Sequence, residues 1–198
     1  MSFSADSDVI VRQFDDENWE LLAQLQYQGK QDRFTVPVGQ ETDFASVPRV
    51  FVWFLPRYGR YTKAAILHDH LWRERAARGD MSWIDADALF RRAMRELDVA
   101  FLRRWIMWAA VRWAALVKPR GRDGWWREAW RVLLVTLLAL PIVAPPAVLI
   151  LVSLAVFFLV EMIAWVPIRL AAALKTKVAK EPPRKEVNLP KLEWKLSS

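Results

Sequence analysis

The longest uncharged run of this chain limits most strongly what it can fold into. Residues 132–160 contain no Asp, Glu, Lys or Arg in 29 consecutive positions, and apolar character continues past Glu161 to Ile168. A helix that crosses the hydrocarbon core of a bilayer needs about 20 residues. A pair of helices buried in a soluble core is the weaker alternative, because a small domain would not hide a run of this length. The run predicts attachment to a membrane.

Three prolines in the middle of the run suggest how it would cross. Pro141, Pro145 and Pro146 fall close together, and proline removes a backbone donor and breaks a helix interior. We therefore predict a membrane hairpin over residues 124–170, in which two apolar helices are joined by a turn at residues 141–146. One kinked span and a re-entrant hairpin that never reaches the far side are the alternatives.

Basic residues flank the apolar run on both sides, and the formal net charge of the chain is +7. Positively charged loops stay on the cytoplasmic side. Both ends are therefore expected there, with the N-terminal domain and a basic C-terminal tail, residues 171–198, on the cytoplasmic side of the inner membrane. The simplest role of the flanking basic residues is to fix the orientation of the apolar run in the membrane, and this role needs no nucleic acid. We therefore predict the lipid bilayer as the partner and expect no nucleic acid.

Residues 1–120 are predicted to form an α+β domain. Residues 8–44 have the alternation of short strands, with a turn signal at residues 28–30. The period then changes to that of helices, which are predicted at residues 61–76, 83–97 and 101–117. Ser82 is a suitable N-cap for the second of them. The predicted fold class is thus α+β: a small β-hairpin or sheet region, a three-helix unit and a C-terminal transmembrane helical hairpin.

Both histidines of the chain lie in one apolar helical stretch that also carries an acid. His68 and Asp69 are successive, so their side chains diverge by about 100°, which suits one residue to hold a metal and the other to take a proton. Asp87, on the next helix, is placed to hold the distal nitrogen of the His68 ring, which fixes the tautomer and raises basicity. The loop at Asp43 adds oxygen ligands of the kind that Ca²⁺ or Mg²⁺ prefers.

Three motifs occur in order along the chain: TDFASVPR at residues 42–49, AAILHDHLW at residues 64–72 and ADALF at residues 86–90. Together they resemble a phage and prophage family of unknown function (DUF1353-like). The resemblance covers roughly residues 8–117 and leaves the apolar run outside. It implies a fold unit and a phage-derived origin, but no reaction.

The same region also resembles, more weakly, the His-Asp motif of secreted and bacterial phospholipases A2. The shared order is a loop, a His-Asp pair with an aromatic residue, here Trp72, four residues after the His, and a helix that carries an Asp followed by Phe. The resemblance implies that His68 is the general base that activates water and that Asp87 supports it. It also implies that Asp69, with help from Asp43, binds Ca²⁺ or another divalent cation in a hydrolase acting on lipid.

A structural interpretation of these residues stays open beside the catalytic one. His68 and Asp69 also fit a buried polar network that fixes helix packing, and Asp43 with Ser46 fits a turn-forming pair. The chain would then be a non-enzymatic phage accessory membrane protein, acting in lysis, superinfection exclusion or assembly. Contact between His68 and Asp87 beside an open cleft favours the hydrolase, and burial of both favours the accessory protein.

Overall fold

A computed structural model of the chain describes residues 2–179, except 6, 16, 17, 30, 31 and 46. In this part of the chain, strands come first and helices follow, which confirms the predicted α+β class. The strands are β1 (Ser2–Phe3), β2 (Val11–Gln13), β3 (Trp19–Leu21), β4 (Leu25–Gln28), β5 (Arg33–Val36) and β6 (Glu41–Thr42). The helices are α1 (Thr62–His70), α2 (Trp83–Glu96), α3 (Phe101–Ala115) and α4 (Trp125–Ala179).

The strands form two small antiparallel sheets, in the orders β1-β4-β5 and β2-β3-β6. β4 and β5 pair as the hairpin predicted around residues 28–30, with Tyr27 opposite Phe34. β1, which the sequence did not predict, adds Phe3 opposite Tyr27 on the other edge. In the second sheet Thr42 lies opposite Trp19, which holds the start of the following loop against the sheet.

The hairpin buries one face against the first helix. Leu25, Tyr27 and Val36 are fully buried, as expected where alternate residues of a strand point to the same side, and both strands contact α1. The Tyr27 hydroxyl donates a hydrogen bond to Oε2 of Glu96, 2.8 Å away at the end of α2. Burial, together with this bond, raises the pKa of the Tyr27 phenol above its usual value. The sheet is thereby tied to two helices.

The three predicted helices of the domain are confirmed. Ser82 caps α2 as predicted, because its Oγ accepts a hydrogen bond of 3.0 Å from the backbone N–H of Asp85. α1 passes directly into a π-helical segment, Leu71–Ala76, and such wide turns are found frequently at functional sites. α2 contacts both α1 and α3, so its buried face lies at the centre of the domain.

α4 corrects the predicted membrane hairpin. Residues 141–146 are helical and lie within Trp125–Ala179, so the predicted turn is not found. Proline fixes φ near the helical value, so it can remove a hydrogen bond or kink a helix without reversing the chain. Residues 171–179 of the predicted tail continue the helix, and residues 180–198 lie outside the described residues.

The apolar character of α4 is confirmed. Within the described part of the chain, Trp125–Ala171 is the one helix long and apolar enough to cross a membrane, with a mean hydropathy of 2.8. In the most apolar stretch of 18 residues of this helix, only 6% is buried, so the stretch is almost entirely exposed. The chain divides into two compact units, the first reaching Ile142 and the second starting at Val143. The site described below lies in the first unit.

Candidate functional site

α1 and α2 bring His68 and Asp87 into direct contact. Nε2 of His68 lies 2.7 Å from Oδ1 of Asp87, whose side chain is fully buried, while that of His68 is 10% exposed. Asp87 belongs to the buried face of α2, where its neighbours include Phe90 and Ala93. The structure therefore places the one acid of that face against the imidazole, which is the contact predicted for Asp87 on the next helix.

Two further donors hold the Asp87 carboxylate. The indole Nε1 of Trp72 donates to the same Oδ1 at 2.8 Å, and Nη1 of Arg112 donates to Oδ2 at 2.9 Å. A carboxylate removed from water is tolerated only when it is paired and hydrogen-bonded. These three partners meet that requirement and leave the carboxylate little freedom to rotate. Asp87 is thus a fixed acceptor for the His68 ring.

The hydrogen bond to Asp87 determines which nitrogen of His68 is free. Because the carboxylate accepts, Nε2 carries the proton in the neutral ring, and Nδ1 carries the lone pair. Among the described residues no group forms a hydrogen bond with Nδ1. The rings of Phe90 and Trp72, with centroids 4.7 and 5.4 Å from that of His68, fix the plane of the imidazole. Nδ1 is the atom that can take a proton from water or a substrate.

Arg112 reaches the site from α3, and sequence reasoning did not include it. Its side chain is fully buried, and its Nε lies 3.7 Å from Oε2 of Glu128 in the first turn of α4. The indole of Trp125 donates to the Arg112 carbonyl at 2.7 Å. A signal for Arg112 was present, because it follows Trp108 by four residues on the buried stripe of α3. A charged residue in that position indicates a buried partner.

Asp69 lies next to the His68–Asp87 pair, called the dyad from here on, and it is hydrogen-bonded to Thr42, the residue before Asp43. Oδ2 of Asp69 accepts a hydrogen bond of 3.2 Å from Oγ1 of Thr42, which in turn accepts the backbone N–H of Phe44 at 2.9 Å. Burial raises the pKa of the Asp69 carboxyl to about 6; the charge of Asp43 adds to the increase, and His68, Arg73 and Thr42 oppose it. The end of β6 is thus joined to α1 at Asp69, and the charge of Asp43 acts on this second predicted metal-site carboxylate.

The donor set does not by itself fit a resident metal ion. Ca²⁺ takes about six to eight oxygen ligands, and no group of three or more His, Cys, Asp or Glu side chains in the described residues is placed to hold a metal. Two neighbouring carboxylates supply only part of such a shell. Metal binding by Asp69 and Asp43 therefore stays a prediction.

The second histidine, Ser46 and the clefts lie outside the dyad. His70 is half-buried, with Nδ1 3.0 Å from Oε1 of Gln40, and burial lowers the pKa of His70 below its usual value. Ser46 lies outside the described residues. An open cleft of about 370 Å³ lies between residues 37–41 and the side chains of Arg73 and Glu74. A second, of about 300 Å³, is lined by Ala76, Gly79, Met81, Ser82, Trp83 and Asp123. Neither is lined by His68 or Asp87.

Comparison with known proteins returned a family match for the region that holds the dyad. No curated protein and no solved structure matches the chain. The matched segment contains His68, Trp72 and Asp87, and it ends one residue before Arg112. Residues 19–111 match the model of a family described as "Protein of unknown function (DUF1353)", and this part of the chain is similar to that uncharacterised family.

Proposed function

We propose that the chain is a membrane-anchored hydrolase that acts on a lipid ester, with His68 as the general base and Asp87 as the residue that orients it. The observation that carries the proposal is the distance of 2.7 Å between Nε2 of His68 and a carboxylate that is fully buried and held by two other donors. An imidazole fixed in this way has the geometry that general-base catalysis requires.

The chemistry follows from the free nitrogen of His68. Nδ1 accepts a proton from a water molecule as the water oxygen attacks the ester carbonyl carbon. The imidazolium formed is stabilised by the Asp87 carboxylate 2.7 Å from the other nitrogen. When the tetrahedral intermediate collapses, Nδ1 returns the proton to the departing alkoxide, so the products are an acid and an alcohol. Trp72 and Arg112 keep the Asp87 carboxylate in place throughout.

A lipid substrate is supported by two features of the chain. The first is α4, which contains a helix long and apolar enough to cross a bilayer. The second is the resemblance to the phospholipase A2 motif, in which Trp72 occupies the aromatic position four residues after the histidine. The Trp72 indole contacts the same oxygen of Asp87 as the imidazole does. This arrangement joins the three residues of the motif in one hydrogen-bonded group.

The decisive experiment compares the two histidines of the chain. Purified full-length protein in mixed micelles of detergent and phospholipid is assayed for release of fatty acid. His68→Gln is expected to reduce the rate by at least about 100-fold, the usual contribution of a general base. His70→Gln is the matched control and should retain the rate. The thermal midpoints of both variants should stay close to that of the wild type. Equal rates for wild type and His68→Gln would refute the proposal.

Assistance by a divalent cation is a separate part of the proposal. Asp69 and Asp43 would supply two ligands, and water or substrate oxygens the others. We expect Ca²⁺ to raise the thermal midpoint of the wild type and to have no effect on Asp69→Asn. The measurement does not depend on turnover, so it tests the cation even if the substrate is different. Identical midpoints with Ca²⁺ and with chelator would refute cation binding by Asp69 and Asp43.

The proposed location is the cytoplasmic face of the inner membrane, in a protein of phage origin. A cytoplasmic tail stays a prediction from the flanking charge, whereas a single crossing by a continuous α4 would put the tail on the opposite side from the N-terminal domain. The chain contains no cysteine, so Ser198→Cys introduces one unique label site. Labelling of intact cells by an impermeant maleimide would place the tail outside and leave α4 as a single span.

A second function is favoured by the burial of the site. The side chains of Asp87 and Arg112 are both fully buried, and the two clefts described above do not include the dyad. On this alternative the polar group only fixes the helices of a non-enzymatic phage accessory protein, which acts at the membrane in lysis, superinfection exclusion or assembly. Absence of hydrolysis together with a large fall in the thermal midpoint of His68→Gln would favour it.

A further inference from the structure

Two segments of the domain combine exposed aromatic side chains with arginines, of which Arg60 is exposed and Arg57 and Arg104 are half-buried. Trp53, Tyr58 and Phe101 are 44%, 70% and 66% exposed, and exposed aromatic residues that are grouped together mark interaction sites. Arg57 directly precedes Tyr58, Arg60 follows it by two residues, and Arg104 follows Phe101 by three. We call these six residues the aromatic-basic surface. Neither the proposed hydrolase chemistry nor the packing of the core uses them.

The two segments meet in the folded domain. The guanidinium carbon of Arg103 lies 5.7 Å from the ring centroid of Phe54, and that ring lies 5.5 Å from the ring of Trp53. On the same first turn of α3, the Arg104 guanidinium lies 5.1 Å from the ring of Phe101. The loop before α1 and the start of α3 are therefore neighbours, so the aromatic-basic surface draws its residues from adjoining parts of the domain.

Acidic residues are missing from both contributing segments of the sequence. Residues 44–68 and 99–122 contain no Asp or Glu, but they contain four and six Lys or Arg respectively. Of these, Arg112 is neutralised by Asp87 in the core. The arginines of the surface thus have no acid nearby in the sequence to compensate them. A partner that complements them must be anionic, and it must also accept aromatic rings.

We propose that the aromatic-basic surface docks on the headgroup region of a bilayer that contains anionic phospholipid. Arginine binds phosphate through its planar fork of donors, and Trp and Tyr favour the boundary between headgroups and acyl chains. The inference rests on the proposed anchoring by α4 and adds a second membrane contact that depends on lipid charge. Each arginine near an anionic surface contributes about fivefold in affinity.

The docking is tested with the full chain in lipid nanodiscs. Because the chain has no cysteine, Tyr58→Cys can carry a single environment-sensitive fluorophore. Its emission should shift to the blue in discs of mixed phosphatidylcholine and phosphatidylglycerol, compared with discs of phosphatidylcholine alone. The shift should reverse in high salt, which screens exposed charges. Val38→Cys, at a position 58% exposed and outside both segments, is the control and should not respond.

A pair of charge variants tests the arginines themselves. Arg57→Glu with Arg60→Glu, made in labelled Tyr58→Cys, should lower the ratio of docked to undocked domain by at least about 25-fold, the product of two fivefold contributions. The matched control is Arg33→Glu with Arg95→Glu, which makes the same change in charge at two exposed positions of β5 and α2. The control pair should leave the emission shift unchanged. Loss of the shift in both pairs would refute a specific role for Arg57 and Arg60.

The outcomes separate docking from anchoring. If the protein resists alkaline extraction but the label responds equally in both kinds of disc, the docking proposal is wrong and the anchor stands. If the shift follows the number of protein copies per disc instead of lipid charge, the occupant is a second copy, and the proposal is again wrong. If the protein does not insert, the anchor is wrong. Docking is then supported if the wild type floats with phosphatidylglycerol vesicles and the Arg57→Glu, Arg60→Glu double variant does not, and it is refuted otherwise.

Discussion

Replacement of Asp69 by asparagine is expected to stabilise the domain at neutral pH. The pKa of the Asp69 carboxyl is raised from 3.8 to about 6, chiefly because burial disfavours the charged form. The folded state therefore binds the proton more tightly than the unfolded state, and the free energy of unfolding falls as the pH rises from about 4 to about 6. At about 1.4 kcal/mol per pKa unit, the ionised carboxylate costs about 3 kcal/mol above pH 7.

The asparagine side chain has the same shape as the acid and can still accept the hydrogen bond from Thr42, but it carries no charge. Asp69→Asn should raise the free energy of unfolding by about 3 kcal/mol at pH 8 and by only about 1 kcal/mol at pH 4.5. Urea unfolding followed by tryptophan fluorescence, in detergent with chelator present, measures the difference. Asp80→Asn is the control, because that side chain is 52% exposed and should change stability little at either pH. Equal gains from Asp69→Asn at the two pH values would refute the reasoning, since the gain would not then arise from ionisation.

Three further substitutions test the partners of Asp87 and the cap of α2. Arg112→Met should lower the free energy of unfolding by about 3–5 kcal/mol, because it leaves the buried Asp87 carboxylate without its cation; urea unfolding would contradict this with a loss below about 1 kcal/mol. Trp72→Phe removes one donor and keeps an aromatic ring, so a loss of about 1–2 kcal/mol is expected in the same assay. Ser82→Ala removes the cap of α2 and should cost about 1 kcal/mol, with faster hydrogen exchange confined to the first turn of α2. Uniform exchange along α2 would contradict a capping role.

The local elements of the domain could be predicted from the sequence because their signals are local. The period of the apolar residues located α1, α2 and α3, and Ser82 indicated where α2 begins. The pairing of strands is different, since β1 bonds to β4 across more than twenty residues of chain. Nothing near residues 2 and 3 specifies that partner. The split into two sheets was for the same reason not predicted.

The candidate site was predicted in part. His68, Asp69 and Asp87 stand out because they are polar residues in apolar stretches, and the loop at Asp43 was marked by its motif. Arg112 was missed because its partner lies 25 residues earlier in the chain, on another helix.

The hairpin prediction was wrong because proline was treated as a chain reversal. In a long apolar helix its fixed φ is compatible with the helical path.

The shared carboxylate of Asp87 has a consequence for how this protein can evolve. The Asp87 side chain accepts hydrogen bonds from the imidazole of His68, the indole of Trp72 and the guanidinium of Arg112. A substitution of any one of these three donors therefore disturbs the contacts of the other two. Loss of the acid is therefore expected together with loss of the arginine, because either change alone leaves a buried charge unpaired. Among relatives that contain both positions, residues 87 and 112 should accordingly vary together.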